Sequence, residues 1–122
     1  MITRSMLGAM GVLAATWIAA VHAASRDETA PGRLIETGLY AEGQPGVVDP
    51  RNRPFSPQYP LWSDGAAKTR WVYLPPGAAI DARDAADWQF PAGTRFWKEF
   101  SFNGRKVETR FLWKTSTGKW VF

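Results

Sequence analysis

Apolar and polar residues alternate through residues 95–113, RFWKEFSFNGRKVETRFLW, with the two-residue period of β-strands. Asn103-Gly104 interrupts the alternation with the residue pair favoured in a two-residue type I′ turn. The stretch therefore predicts a hairpin of strands Arg95–Phe102 and Arg105–Lys114. A regular ladder across the turn pairs Phe102 with Arg105, Phe100 with Val107, Lys98 with Thr109 and Phe96 with Phe111. Those residues share one face, and Trp97, Glu99, Glu108 and Arg110 share the other. A further strand at 119–122, after a loop at 115–118, sets Trp120 opposite Trp113 and Phe122 opposite Phe111. The predicted inner face is thus Phe96, Phe100, Val107, Phe111, Trp113 and Trp120, with Lys98 among them.

Upstream, TRWVYL at 69–74 predicts another strand, closed by the turn Pro75-Pro76-Gly77. WQF at 88–90 predicts a short strand closed by Pro91-Ala92-Gly93, and 84–86 a single helical turn. Residues 33–37 predict one or two helical turns stopped by Gly38. Between these lie Pro45, Pro50, Pro54, Pro57 and Pro60, which remove backbone donors and exclude long regular elements. Leu39, Tyr40, Phe55, Tyr59, Leu61 and Trp62 punctuate that passage, so it is expected to pack across the domain. The fold class is all-β: one small antiparallel meander or sandwich-like domain over 34–122, with a long proline-rich N-terminal segment and a flexible start at 24–33.

Composition sharpens the picture mainly at the N-terminus. Arg4, an apolar run over 6–20 and Val21-His22-Ala23 have the form of a secretory signal peptide, cleaved after Ala23. The run is shorter than the ~20 apolar residues of a membrane span, so no membrane span is expected after cleavage. The mature chain would have 99 of the 122 residues, enough for one domain with a modest core. Every Met and the one His lie within the first 23 residues, and there is no Cys. The mature chain therefore forms no disulfide and lacks the usual ligands for zinc, copper or haem iron. It also cannot build a Ser-His or Cys-His pair. Its basic residues are interspersed with acidic ones, which with export argues against a nucleic-acid partner. The expected location is periplasmic or secreted.

Three sets of residues are candidates for chemistry or recognition. Glu99 and Glu108, opposite each other in the regular ladder, are the carboxylate pair a glycosidase requires. Lys106 and Arg110 are the diagonal neighbours of Glu99, within reach of both carboxylates, so a solvated surface ion lattice of Glu99, Lys106, Glu108 and Arg110 is the simpler reading. Lys98, on the predicted inner face, needs a carboxylate partner, a route to solvent or loss of its proton. Asp64, at the end of the proline-rich passage, is the expected partner, making Lys98 and Asp64 a structural pair. Six tryptophans in the 99 residues could stack on sugars, which defines an alternative: a secreted ligand- or carbohydrate-binding module using exposed aromatics. No catalytic, cofactor or metal residue is assigned, and the chain is not expected to be an enzyme.

Several short blocks carry a family resemblance. Pro60-Leu61-Trp62-Ser63-Asp64, Lys68 and Leu74-Pro75-Pro76-Gly77 resemble the "PLFSD…K…LPPG" pattern of exported bacterial proteins in which a β-rich N-terminal region precedes a c-type cytochrome or cytochrome-like region. Phe90-Pro91-Ala92-Gly93-Thr94 with Lys98 and Phe100 resembles their "FPxGTxxxKxF", and Glu108-Thr109-Arg110 their "ETR". Leu34 to Tyr40 resembles their "LSxxGLY". The resemblance implies a periplasmic redox setting, haem c and electron transfer for the complete family member, and a cytochrome region or redox protein as partner. This chain departs from it by having no cysteine for haem attachment. It also stops in the predicted strand at Trp120-Val121-Phe122, so it is expected to be truncated before any haem-binding region.

Overall fold

The computed structural model describes residues 28–59, 62 and 64–122; the expected signal peptide at 1–23 lies outside them. Five strands form one antiparallel sheet: β1 (Arg53–Pro54), β2 (Ala67–Tyr73), β3 (Arg95–Phe102), β4 (Arg105–Lys114) and β5 (Trp120–Val121). Their spatial order is their chain order, so the sheet is a meander. The all-β reading holds. A single 3₁₀ turn, Leu34–Glu36, ends at Gly38 with φ +83°, in the left-handed region that glycine enters without penalty. At 84–86 the chain makes one hydrogen-bonded turn and no helix: the Asp87 N–H donates to the Asp84 carbonyl at 3.3 Å, and the Asp84 carboxylate accepts the Ala86 N–H at 2.9 Å. Of WQF, Gln89 makes only an isolated bridge to Asp81.

The Asn103-Gly104 turn forms as expected, with φ +48° and +76° and Phe102 opposite Arg105. Two residues on, the expected ladder breaks. Ser101 pairs with Lys106 and Phe100 with Glu108, so Val107 is an extra residue in a β-bulge. From there onwards β3 is shifted by one relative to the regular hairpin. Trp97 faces Phe111, Lys98 faces Arg110, and Glu99 faces Thr109, not Glu108.

The bulge exchanges the faces. The core is Leu39, Trp71 and Trp97, with Leu34, Tyr40, Val48, Tyr73 and Phe111 packed around it. On β3 the core side is thus the one expected to be outside, and Phe96 and Phe100 lie on the other face with Trp120, whereas Phe111 of β4 stays on the core side as expected and Val107, expected inside, is exposed. Trp97 stacks on Phe111 at 5.6 Å and is 1% exposed. Burying an indole of this size contributes about 5 kcal/mol. Its ring N–H donates to the Thr37 hydroxyl at 2.8 Å, which itself donates to the Leu34 carbonyl at 2.7 Å. The indole N–H and the Thr37 hydroxyl are thereby both paired inside the core. The segment 34–49 thus covers the sheet as a clasp, and Asn52 locks it by donating to the Gly38 and Leu39 carbonyls, both at 2.9 Å.

On the opposite face, Phe96 packs edge-on against Phe55 and Phe90, and Trp120 closes the cluster at 6.0 Å from Phe96. Trp120 does share the side of Phe96, as expected, but it faces Lys114 and not Trp113. Part of the proline-rich passage becomes β1, where Pro54 sits in an edge strand and forfeits no interior hydrogen bond.

Candidate functional site

Two charged groups occupy opposite faces of the sheet. On the core side, Glu99 is buried between Thr69 of β2 and Thr109 of β4, its neighbours across the ladder. Lys106 reaches its Oε2 to 3.0 Å. The approach is that of an ion pair and not of a well-directed hydrogen bond, since Oε2 has no hydrogen-bond partner. Contact with the Glu99 carboxylate holds the Lys106 ammonium above the ordinary lysine value against the opposing effect of burial, and the Tyr40 ring lies 5.8 Å away. Lys106 reaches the core side because the bulge reverses the alternation between it and Glu108.

The open side carries three parallel cross-strand rows on β2, β3 and β4. The first is Lys68–Phe100–Glu108, the second Arg70–Lys98–Arg110, and the third Val72–Phe96–Leu112. Lys98 is therefore flanked on both sides by guanidinium-bearing residues. Its ammonium lies 4.8 Å from the Phe100 ring centroid, and the Arg110 guanidinium 4.9 Å from the same centroid. Arg110 holds Glu108 at 2.6 Å along its own strand, which lowers the Glu108 pKa and raises its own. Desolvation, followed by the charges of Arg70, Lys68 and Arg110, pushes the Lys98 ammonium below the ordinary lysine value, and Glu108 only partly opposes this. Among the described residues neither Arg70 nor Lys98 has an ion-pair partner.

The expected Lys98–Asp64 pair is therefore absent. Asp64 is exposed, and it precedes Ala67, which faces Ser101. That places it past the far end of the strand from Lys98, whose neighbour on β2 is Arg70. The expected surface lattice also divides into two pairs. Glu99–Lys106 lies on the core side with Glu99 buried, and Glu108–Arg110 on the open side, so the two glutamates are not opposed as a carboxylate pair. Sequence reasoning missed Arg70 altogether. Its place beside Lys98 depends on the β2–β3 register, and no tight turn between those strands fixes that register.

The motif blocks fall on structural positions. The Gly93 backbone has φ +86°, and a Cβ there would lie 3.0 Å from Pro75, so the glycine of the second block packs on the proline of the first. Gly93 N–H donates to the Lys114 carbonyl at 2.7 Å, and Lys114 N–H to the Thr94 carbonyl at 2.8 Å, seating the start of β3 against the end of β4. Thr94 is wholly buried and donates to the Pro91 carbonyl at 2.7 Å.

Surface hollows lie beside these elements among the described residues. One of about 310 Å³ lies between Pro50–Arg53 and the Leu74–Ala78 turn. Another, of about 530 Å³ and largely apolar, lies beside β4 near Phe111, Leu112 and Phe122. A third gathers Asp81, Asp84 and Asp87 around Arg83, which pairs with Asp81 at 2.6 Å. No group of three His, Cys, Asp or Glu suited to a metal ion occurs among the described residues.

Fold and site together define a class: a small antiparallel meander with a tryptophan core under an N-terminal clasp and a cation-rich open face. Compared with family models, curated proteins and solved structures, the chain matches none.

Proposed function

We propose that the chain is a non-catalytic β-domain of an exported, cytochrome-c-type electron-transfer protein, acting in the periplasm as a scaffold or docking module. The reading is carried by the positions of the residues that give the resemblance. Leu39, Gly93, Thr94 and Pro75 build the core and its turns, as expected of blocks that specify a fold and not a reaction centre. Haem c is not a group this chain can hold, because the thioether bond needs a cysteine thiol and the sequence has none. In this proposal the haem belongs to a cytochrome region or to a redox partner. The test is the transcript. It is expected to encode a Cys-x-x-Cys-His segment whose product stains for covalent haem after denaturing electrophoresis. A transcript without such a segment, together with no haem protein co-purifying with the chain, refutes the assignment.

A second reading rests on Trp62 and Tyr59, which are 85% and 80% exposed next to the proline-rich passage. Exposed rings of this kind stack on sugars or on apolar ligands, the behaviour of a secreted binding module. Quenching of tryptophan fluorescence by soluble oligosaccharides, abolished by Trp62→Ala, is the expected sign. Unchanged fluorescence across a panel of neutral and acidic oligosaccharides removes carbohydrate from consideration.

A further inference from the structure

The row Arg70–Lys98–Arg110 places three cations directly opposite one another on adjacent strands. Like charges in that arrangement destabilise a sheet, and one carboxylate, Glu108, engages one of the three. A small domain has little stability to lose on such a row. The cost is understandable if an anion occupies the row in the working state.

Two further observations narrow the ligand. Lys98 and Arg110 converge on one aromatic ring, so the two charges are no more than about 10 Å apart, within reach of a single multivalent anion. The next row along the same face is apolar, and Leu112 and Trp120 at that end are 41% and 38% exposed. Successive residues on one face of a strand are separated by roughly 7 Å, so the charged and apolar rows lie within one short peptide's span.

We propose that this face of the sheet is the docking site for an acidic protein segment, whose carboxylates sit on Arg70, Lys98 and Arg110 while an adjacent apolar side chain packs on Leu112 and Trp120. Charge complementarity selects the segment's carboxylates, and the neighbouring apolar row sets which end of the segment lies where. The surface needs no haem and stands apart from the cytochrome reading.

The experiment uses the purified protein and a fluorescein-labelled peptide of four glutamates followed by leucine and tryptophan. Its counterpart has glutamine in place of each glutamate, and vesicles of phosphatidylcholine with and without phosphatidylglycerol form a third arm. The glutamate peptide is expected to bind with an affinity that falls as salt rises. Arg70→Gln and Lys98→Gln are each expected to weaken it at least about fivefold, since each removes a charge partner. Arg105→Gln and Lys119→Gln remove the same net charge elsewhere and are expected to change it less than about twofold. Near-ultraviolet circular dichroism confirms that each variant is folded. Equal affinity for the glutamine peptide overturns the proposal, as does equal weakening by the control substitutions. Row-dependent binding to anionic vesicles without peptide binding also overturns it, by assigning the face to lipid headgroups. None of these outcomes touches the haem assignment, which depends on the transcript.

Discussion

Lys106→Met isolates the buried carboxylate of Glu99. The pair is 3.0 Å long, which at an effective dielectric of about 20 is a gross attraction of about 5 kcal/mol. Most of that does not survive as net stability. The Lys106 side chain is 53% exposed, so it loses little hydration on pairing and water partly replaces it when it is removed. Glu99 is different: its side chain is 9% exposed and stays in place after the substitution, desolvated and without a counter-charge. Breaking a fully buried pair costs about 3–5 kcal/mol and an exposed one about 0–1, so this half-exposed pair should cost about 2 kcal/mol. Urea unfolding followed by tryptophan fluorescence measures it, because Trp71 and Trp97 lie in the same core. Replacing both partners, as Glu99→Leu with Lys106→Met, removes the stranded charge and is expected to recover most of the loss. A cost below about 0.5 kcal/mol for Lys106→Met, or strict additivity of the two substitutions, would refute the reasoning.

Lys98→Met removes a charge from a repulsive row and is expected to change stability by less than about 1 kcal/mol, toward a gain, in the same urea assay. Its lowered pKa means that the charged form is disfavoured by folding. The penalty is therefore fully present below the folded pKa, fades as pH rises from there towards the ordinary lysine value of 10.5 and is gone above it, so the gain in the variant should shrink in alkali. Asp49 has its pKa lowered from 3.8 to about 2, first by the Arg51 side-chain hydrogen bond and then by the Arg51 N–H. Its contribution is present above 3.8 and lost as pH falls through about 2, so Asp49→Asn should flatten the acid limb of the stability profile. Deleting Val107 should regularise the hairpin without exchanging its faces. Retention of the Trp97–Thr37 hydrogen bond, read from the indole proton in NMR spectra, checks this.

The strands and the turn were legible because their signals are local. Alternation marked Arg95–Phe102 and Arg105–Lys114 to the residue, and Asn103-Gly104 marked the turn between them. The choice of face was not legible. Apolar residues stand on both sides of β3, so alternation alone does not say whether Phe96 and Phe100 or Trp97 lie in the core. The bulge at Val107 removed the remaining guide, since parity counted outward from the turn is inverted beyond it. Core membership was decided by Leu39 and Thr37, which meet Trp97 from about sixty residues away. The candidate site followed the same division. Glu108 with Arg110 and Glu99 with Lys106 were close in sequence and were recognised as charged neighbours. The Arg70–Lys98 contact depends on two strands joined by a long irregular connection, and nothing local encodes it.

The clasp over residues 34–49 also sets an order of events for a chain made from its N-terminus. Leu39 is wholly buried, yet the tryptophans that bury it, Trp71 and Trp97, are synthesised about thirty and sixty residues later. The Thr37 hydroxyl has the Leu34 carbonyl close at hand, but it likewise waits for the indole of Trp97 as its donor. The first described segment to leave the ribosome is therefore the one with nothing to close upon, and it has to stay soluble and uncommitted until β3 emerges. Closing so long a loop carries an entropic cost that the sheet alone does not meet, because the clasp and the tryptophans bury one another. The domain gains its core in one late step, when the clasp closes over strands made after it.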